Sequence, residues 1–137
     1  MQRIFIDTNV VIDLLGNREP FAKDVQILFS KAERQELRLC VSSLSIANAY
    51  YALTRTYKIE TAKKYLQLFQ ILVEIIPFDQ KAIDMALQSK FTDLEDGFQY
   101  YMALGCQAEI IITRNKKDFK HAQLPVLTAT EYLNRTQ

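Results

Sequence analysis

The sequence predicts an α/β domain, a central parallel β-sheet flanked by helices in three layers. Three observations predict it. Short apolar runs, rich in β-branched residues, recur at residues 4–6, 37–41, 73–77 and 110–112, as in strands buried on both faces. Apolar residues at helical spacing fill the stretches between them, and strands alternating with helices imply parallel pairing. Pro20, Pro77 and Pro125, the only prolines, fall at the borders of these segments, where a residue unable to continue a helix or donate within a central strand is tolerated.

Taken in order, Ile4, Phe5 and Ile6 form the first strand, and Val10, Val11, Leu14 and Leu15 follow at helical spacing. Phe21, Val25, Leu28 and Phe29 continue as a second helix through Ala32, and residues 37–41 form the second strand. A polar break at Ser42 and Ser43 opens a helix carrying Ile46, Ala49, Tyr50 and Leu53. Another apolar stripe at 62–72 precedes the third strand at 73–77. Residues 80–89 and 96–104 read as two helices separated by the acidic, turn-like FTDLED. Ile110, Ile111 and Ile112 make the fourth strand, Val126 and Leu127 a short edge strand, and a final helix begins at Ala129. With no repeat or linker, residues 1–137 are expected to form a single domain.

Composition narrows the function classes. At 137 residues, 49% hydrophobic and 24% charged, the chain is long enough to bury roughly two-thirds of the surface its unfolded form exposes. Its apolar runs fall far short of the ~20 residues of a membrane helix. No extended apolar core and cleavage site marks a secretory signal, so the expected location is the cytoplasm. Cys40 and Cys106 are too few and too far apart in sequence for a disulfide framework or thiolate metal site, and are expected as buried free thiols. The net charge of +1 gives no strong basic footprint for nucleic acid. With His121 the lone histidine, on an expected surface loop, Ser-His-Asp and Cys-His catalysis lack a base. Three glycines and no phosphate-cradling motif argue against a nucleotide cofactor.

The acids are more informative. Asp7 ends the first strand in IFIDTNVVID, and Asp, Thr and Asn are all helix N-cap residues, so Asp7 reads equally as a cap or as a ligand-binding group at the carboxyl edge of the sheet. Asp96 opens a helix, and Asp118 follows the fourth strand in TRNKKDF. In a parallel sheet all three share one edge. Gathered carboxylates raise one another's pKa, a cost that a hard cation reverses; Mg²⁺ and Mn²⁺ take oxygen ligands and activate water at phosphates. Asp93 shares a helix face with Asp96, while Glu95 lies about 100° away. Either is a candidate further ligand, the alternative being that negative charge simply favours a helix N-terminus.

IFIDTNVVIDLL, DLEDGFQYYMAL, IIITRNKKDF and LPVLTATEYL, in this order and over nearly the whole chain, resemble the PIN-domain family, which includes toxin ribonucleases of bacterial toxin–antitoxin pairs. The resemblance implies a compact α/β fold and RNA hydrolysis with Mg²⁺ or Mn²⁺. It implies Asp7, Asp96 and Asp118 as catalytic metal ligands with Glu95 as a further acid. Thr8, Asn9, Thr113 and Asn115 would line the same edge, Thr8 or Asn9 capping the first helix. Arg114 and Lys116, with Lys117, are candidate contacts for RNA phosphates, and Arg55, Tyr57 and Lys58 a candidate outer surface. Tyr50, Tyr51, Phe69, Tyr100 and Tyr101 are expected in the core or a dimer interface. One departure matters: many members carry a Glu in the helix after the second strand, whereas SSLSIANAYYAL has no acid and Asn48 at about that place. Glu95 and Asp93 are expected to compensate. The resulting expectation is a metal-dependent endoribonuclease, the toxin of a pair with a small antitoxin and a homodimer. The alternative is a catalytically impaired module that binds RNA or protein. A phosphatase reading lacks the D-x-D pattern.

Overall fold

The computed structural model describes residues 1–135. Its elements are β1 (Gln2–Ile6), α1 (Thr8–Leu15), α2 (Ala22–Glu33), β2 (Leu37–Ser42), α3 (Ser43–Leu53), α4 (Ile59–Leu72), β3 (Glu74–Ile76), α5 (Gln80–Leu87), α6 (Leu94–Gly105), β4 (Ile110–Ile112), a 3₁₀ turn (Lys116–Phe119), β5 (Val126–Leu127) and α7 (Ala129–Arg135). The expected elements occur in the expected order, and residues 136 and 137 of the expected domain lie outside the described residues. α6 begins two residues earlier than its apolar pattern predicts, because the Asp93 side chain accepts the backbone N–H groups of Glu95 and Asp96 and caps the helix. Both acids therefore stand in its first turn.

The strands form one all-parallel sheet in the order β3-β2-β1-β4-β5. Alternation along each strand separates two cores. Ile4, Ile6, Leu39, Val41, Ile110 and Ile112 face α1, α2, α3, α4 and α7, whereas Phe5, Cys40 and Ile111 face α5 and α6. Each buried Ile, Leu or Phe contributes about 1.5–3 kcal/mol, and helices on both faces complete the three layers.

This strand order positions the site. The chain builds outward from β1 through β2 to β3, then returns by way of α5 and α6 to add β4 on the other side of β1. The carboxyl ends of β1 and β4 thus flank the switch in strand order, where open α/β sheets bind ligands. Asp7 N–H donates to the Ile112 carbonyl at 3.0 Å, extending the pairing of Ile6 with Ile112 by one residue. Asp7 and Thr113 are left side by side. Gly97 lets the first turn of α6 approach closely, since a Cβ there would lie 3.2 Å from Ala86 Cβ and 3.3 Å from Phe91 Cβ. No helix among the described residues is long and apolar enough to cross a membrane.

Candidate active site

Asp7 is both the last extended residue of the first strand segment and the N-cap of α1. Its Oδ1 accepts the Thr8 N–H at 2.8 Å, while Oδ2 accepts from Thr113 Oγ1 at 2.9 Å and from Asn9 Nδ2 at 3.4 Å. The expectation that Thr8 or Asn9 caps the helix is therefore corrected. A cap needs extended backbone just before the first turn, which Asp7 supplies with φ −77° and ψ 161°, and Thr8 and Asn9 already lie inside the helix. Asn9 instead braces the strand ends: it donates to Thr113 Oγ1 at 3.1 Å and accepts the Arg114 N–H at 3.2 Å. The Asn115 N–H donates to Thr113 Oγ1 at 3.1 Å. Burial pushes the Asp7 carboxyl above the ordinary Asp range, opposed by the bonds from Thr113 and Thr8.

Asp96 is half-buried, and its carboxyl is pushed up to about 7, first by burial and then by the charges of Asp93, Asp7, Asp118 and Glu95. Five acids thus act on one another at this edge. They differ in their engagement. Asp93 Oδ1 is occupied by the two backbone donors of the α6 cap, at 3.0 and 3.3 Å. Glu95 Oε1 accepts from Asn48 Nδ2 at 2.7 Å. Asp118 is exposed in the 3₁₀ turn, its N–H bonded to the Asn115 carbonyl at 3.0 Å. A cleft of about 280 Å³ opens between Asp93, Asp96, Lys117, Asp118, Lys120 and His121.

Among the described residues, no three His, Cys, Asp or Glu side chains stand close enough to enclose a metal ion. The donor set nevertheless fits a hard divalent ion, because Mg²⁺ binds through only a few carboxylates with waters completing its shell. Burial is the largest cause of the lift of Asp96, and the repulsion from its four acidic neighbours adds a part that such an ion would reverse.

A polar network missed in the sequence braces this edge. Ser42 caps α3 through a 3.1 Å bond from Ser45 N–H and donates to Gln99 Oε1 at 2.9 Å. Gln99 Nε2 donates to Ser45 Oγ at 2.9 Å, and Thr8 and Ser45 share a hydroxyl bond of 2.7 Å. These bonds join α1, α3 and α6 in a buried interior where every group is paired. Gln99, a polar residue on the core face of an otherwise apolar helix, was the one available signal.

The basic residues divide differently from expectation. Arg114 Nε donates to the wholly buried Asp13 Oδ2 at 2.6 Å, and its guanidinium lies 4.4 Å from the Phe21 ring centre. Lys116 pairs with Glu131 of α7 at 2.9 Å. Both engage carboxylates of this chain, whereas Lys117 and Lys120 line the cleft. His121 is exposed as expected but also borders the cleft, its ring 5.8 Å from Phe91. Arg55, Tyr57 and Lys58 connect α3 to α4, with Tyr57 edge-on to Tyr65. Phe69 and Tyr100 are buried in the core, but Tyr51 is 67% exposed.

Similarity to known proteins agrees with this architecture. The chain is 30% identical to ribonuclease VapC1 of Aquifex aeolicus (strain VF5) over 145 aligned positions, covering 98% of this chain and 95% of that protein. Its fold is similar to FitAcB from Neisseria gonorrhoeae, with TM-score 0.71, 18% identity and coverage of 93% of this chain and 98% of that one. It is also similar to a toxin–antitoxin complex from Klebsiella pneumoniae, with TM-score 0.67, 21% identity and coverage of 92% and 97%. Residues 3–117 match the family model described as the PIN domain, from the first strand through the TRN segment that adjoins Asp7. On that match, and on a relative aligned over nearly its full length, the chain belongs to the PIN-domain family.

Proposed function

We propose that this protein is a metal-dependent endoribonuclease that hydrolyses RNA phosphodiester bonds with water activated by a divalent ion. The observation that carries the reading is the gathering of Asp7, Asp96, Asp118 and Glu95 at the switch in strand order, where their charges add to burial in lifting Asp96 to about 7. Kinship with a relative named a ribonuclease supports RNA as the substrate.

In this reading Asp7, Asp96 and Asp118 hold Mg²⁺ or Mn²⁺. A bound divalent ion supplies Lewis acidity, which makes water a better nucleophile and offsets charge on the phosphate. Thr113 and Asn9 fix the rotamer of Asp7 through its Oδ2, so its carboxylate is held at the end of β1 without reorganisation. Asn48 holds Glu95 beside Asp96. Lys117 and Lys120 receive RNA phosphates at the cleft rim, and Arg114 anchors the TRN segment through Asp13. The family resemblance, with the fold's likeness to a toxin–antitoxin complex from Klebsiella pneumoniae, supports a toxin of a toxin–antitoxin pair that acts in the cytoplasm, with a small protein antitoxin and as a homodimer.

Asn48, neutral where the family resemblance implies an acid, favours a second reading, a module that binds RNA or protein without cutting. Purified protein is incubated with a mixed RNA pool in Mn²⁺, in Mg²⁺ and in EDTA, beside Asp7→Asn. Metal-dependent cutting that the variant loses supports the nuclease. Absence of cutting in every condition, with no heat of metal binding by calorimetry, makes the binding module the better account.

A further inference from the structure

The cleft beside the acids has two unlike halves. Asp93, Asp96 and Asp118 line one, while Phe91, Lys117, Lys120 and His121 line the other. The metal reading accounts for the first half. In the second, Lys117 and Lys120 are exposed, and among the described residues neither takes part in an ion pair, whereas the adjacent Lys116 is held by Glu131. The two rings beside these lysines have no role in the chemistry described so far.

Both rings are held in place from behind. Phe91 is half-buried, its ring 5.3 Å from Tyr100, 6.3 Å from Tyr101 and 6.5 Å from Phe119, and its N–H donates to Ser89 Oγ at 3.1 Å. The turn that carries His121 is anchored on one side by the buried Phe119, whose carbonyl accepts the Ala122 N–H at 2.8 Å. On the other side the Gln123 N–H donates to the Tyr100 hydroxyl at 3.1 Å. His121 itself is exposed and meets Phe91 at 5.8 Å with the rings inclined at 77°. Such an edge-to-face contact leaves at least one face of the imidazole open.

Single-stranded RNA is held by unstacked bases laid on Phe, Tyr, Trp or His rings while lysines follow the phosphates. Lysines alone would take any phosphate; a ring beside them adds affinity only for a ligand that also carries a flat base. We infer that His121, backed by Phe91, is a stacking platform for one unpaired nucleobase of single-stranded RNA, whose flanking phosphates lie on Lys117 and Lys120. The inference rests on the reading of this cleft as an RNA site and adds the form of RNA it accepts. A base must leave its stack to reach the ring, so a duplex is rejected, and because every base has a flat face the platform reads sequence weakly.

His121 is the only histidine, so its imidazole Cε1–H signal in proton NMR reports on this platform alone. The full chain in EDTA, where metal-dependent cutting is blocked, is titrated with a short single-stranded RNA, with a chain of abasic residues of the same length, and with the same RNA as a duplex. The single strand should move the His121 signal upfield through the ring current of the stacked base; the abasic chain, equal in phosphates, and the duplex should not. By fluorescence anisotropy His121→Ala should weaken binding of the single strand roughly tenfold and leave the abasic chain unaffected. His121→Tyr, which keeps a ring, should retain the affinity, and Lys120→Ala should weaken both ligands alike. A His121 signal that the single strand leaves in place, or that the abasic chain moves as far, overturns the platform, as does a His121→Ala variant that binds as tightly as the parent. Cleavage with Mn²⁺ is scored separately. Stacking without metal-dependent cutting supports the platform and removes the nuclease, whereas cutting without stacking removes the platform and leaves the nuclease standing.

Discussion

Asn48 on α3 donates its side-chain amide to Glu95 Oε1 in the first turn of α6, at 2.7 Å. The position where the resemblance calls for an acid thus holds a neutral donor, and the acid it pairs with comes from the facing helix. On this side of the edge the acid belongs to α6 and not to α3. Asn48→Glu should set two carboxylates against each other, lowering the melting temperature in EDTA while enlarging the rise on adding Mn²⁺. Differential scanning fluorimetry with and without metal checks this; equal metal shifts in variant and parent would show that an acid at residue 48 adds nothing to metal binding.

Asp7 combines two roles that substitution can separate. Asp7→Ala removes the α1 cap and the bond to Thr113, and should cost about 1–2 kcal/mol in urea unfolding. Asp7→Asn retains a capping oxygen and should stay within about 0.5 kcal/mol of the parent while losing RNA cleavage. An Asn variant as unstable as the Ala variant would mean that its loss of activity reports unfolding.

The pH dependence of stability follows from Asp96. Its carboxyl ionises at about 7 in the folded protein against 3.8 ordinarily. Between those values the folded state keeps a proton that the unfolded state has lost, so the metal-free protein should lose stability as pH rises from about 4 to about 7. Burial of Asp7 acts in the same direction. Asp96→Asn should flatten this slope, as thermal melts across the range would reveal. A parent whose stability climbs over that range contradicts the assignment.

Arg114 and Asp13 form an ion pair whose acid has no access to solvent. Arg114→Ala leaves Asp13 buried without its cation and should destabilise the fold by roughly 3 kcal/mol. Asp13→Asn combined with Arg114→Ala should recover part of that loss, because the stranded charge is gone. Urea midpoints of the single and double variants form the cycle, and strict additivity would argue against coupling.

Gln99 satisfies Ser42 and Ser45 at once. Gln99→Leu removes both of these bonds, leaving the two serines only their bonds to each other and to Thr8, and should cost about 1–3 kcal/mol. Hydrogen exchange should quicken at the starts of α1, α3 and α6, which the network joins; protection unchanged at those helix starts would show that packing alone holds them.

The α/β class, the order of the elements and the shared edge of Asp7, Asp96 and Asp118 were legible because each rests on local chemistry: period-two or helical patterning, short buried runs, and acids at strand or helix ends. The start of α6 was misjudged because a capping aspartate extends a helix beyond its apolar pattern. Which groups meet was decided only by tertiary structure. Asn48 with Glu95, Gln99 with Ser42 and Ser45, and Arg114 with Asp13 all join residues far apart in the chain. Such pairings depend on how helices dock across the sheet, and docking is set by the summed burial of apolar faces over the whole domain, a quantity that no short window of sequence contains.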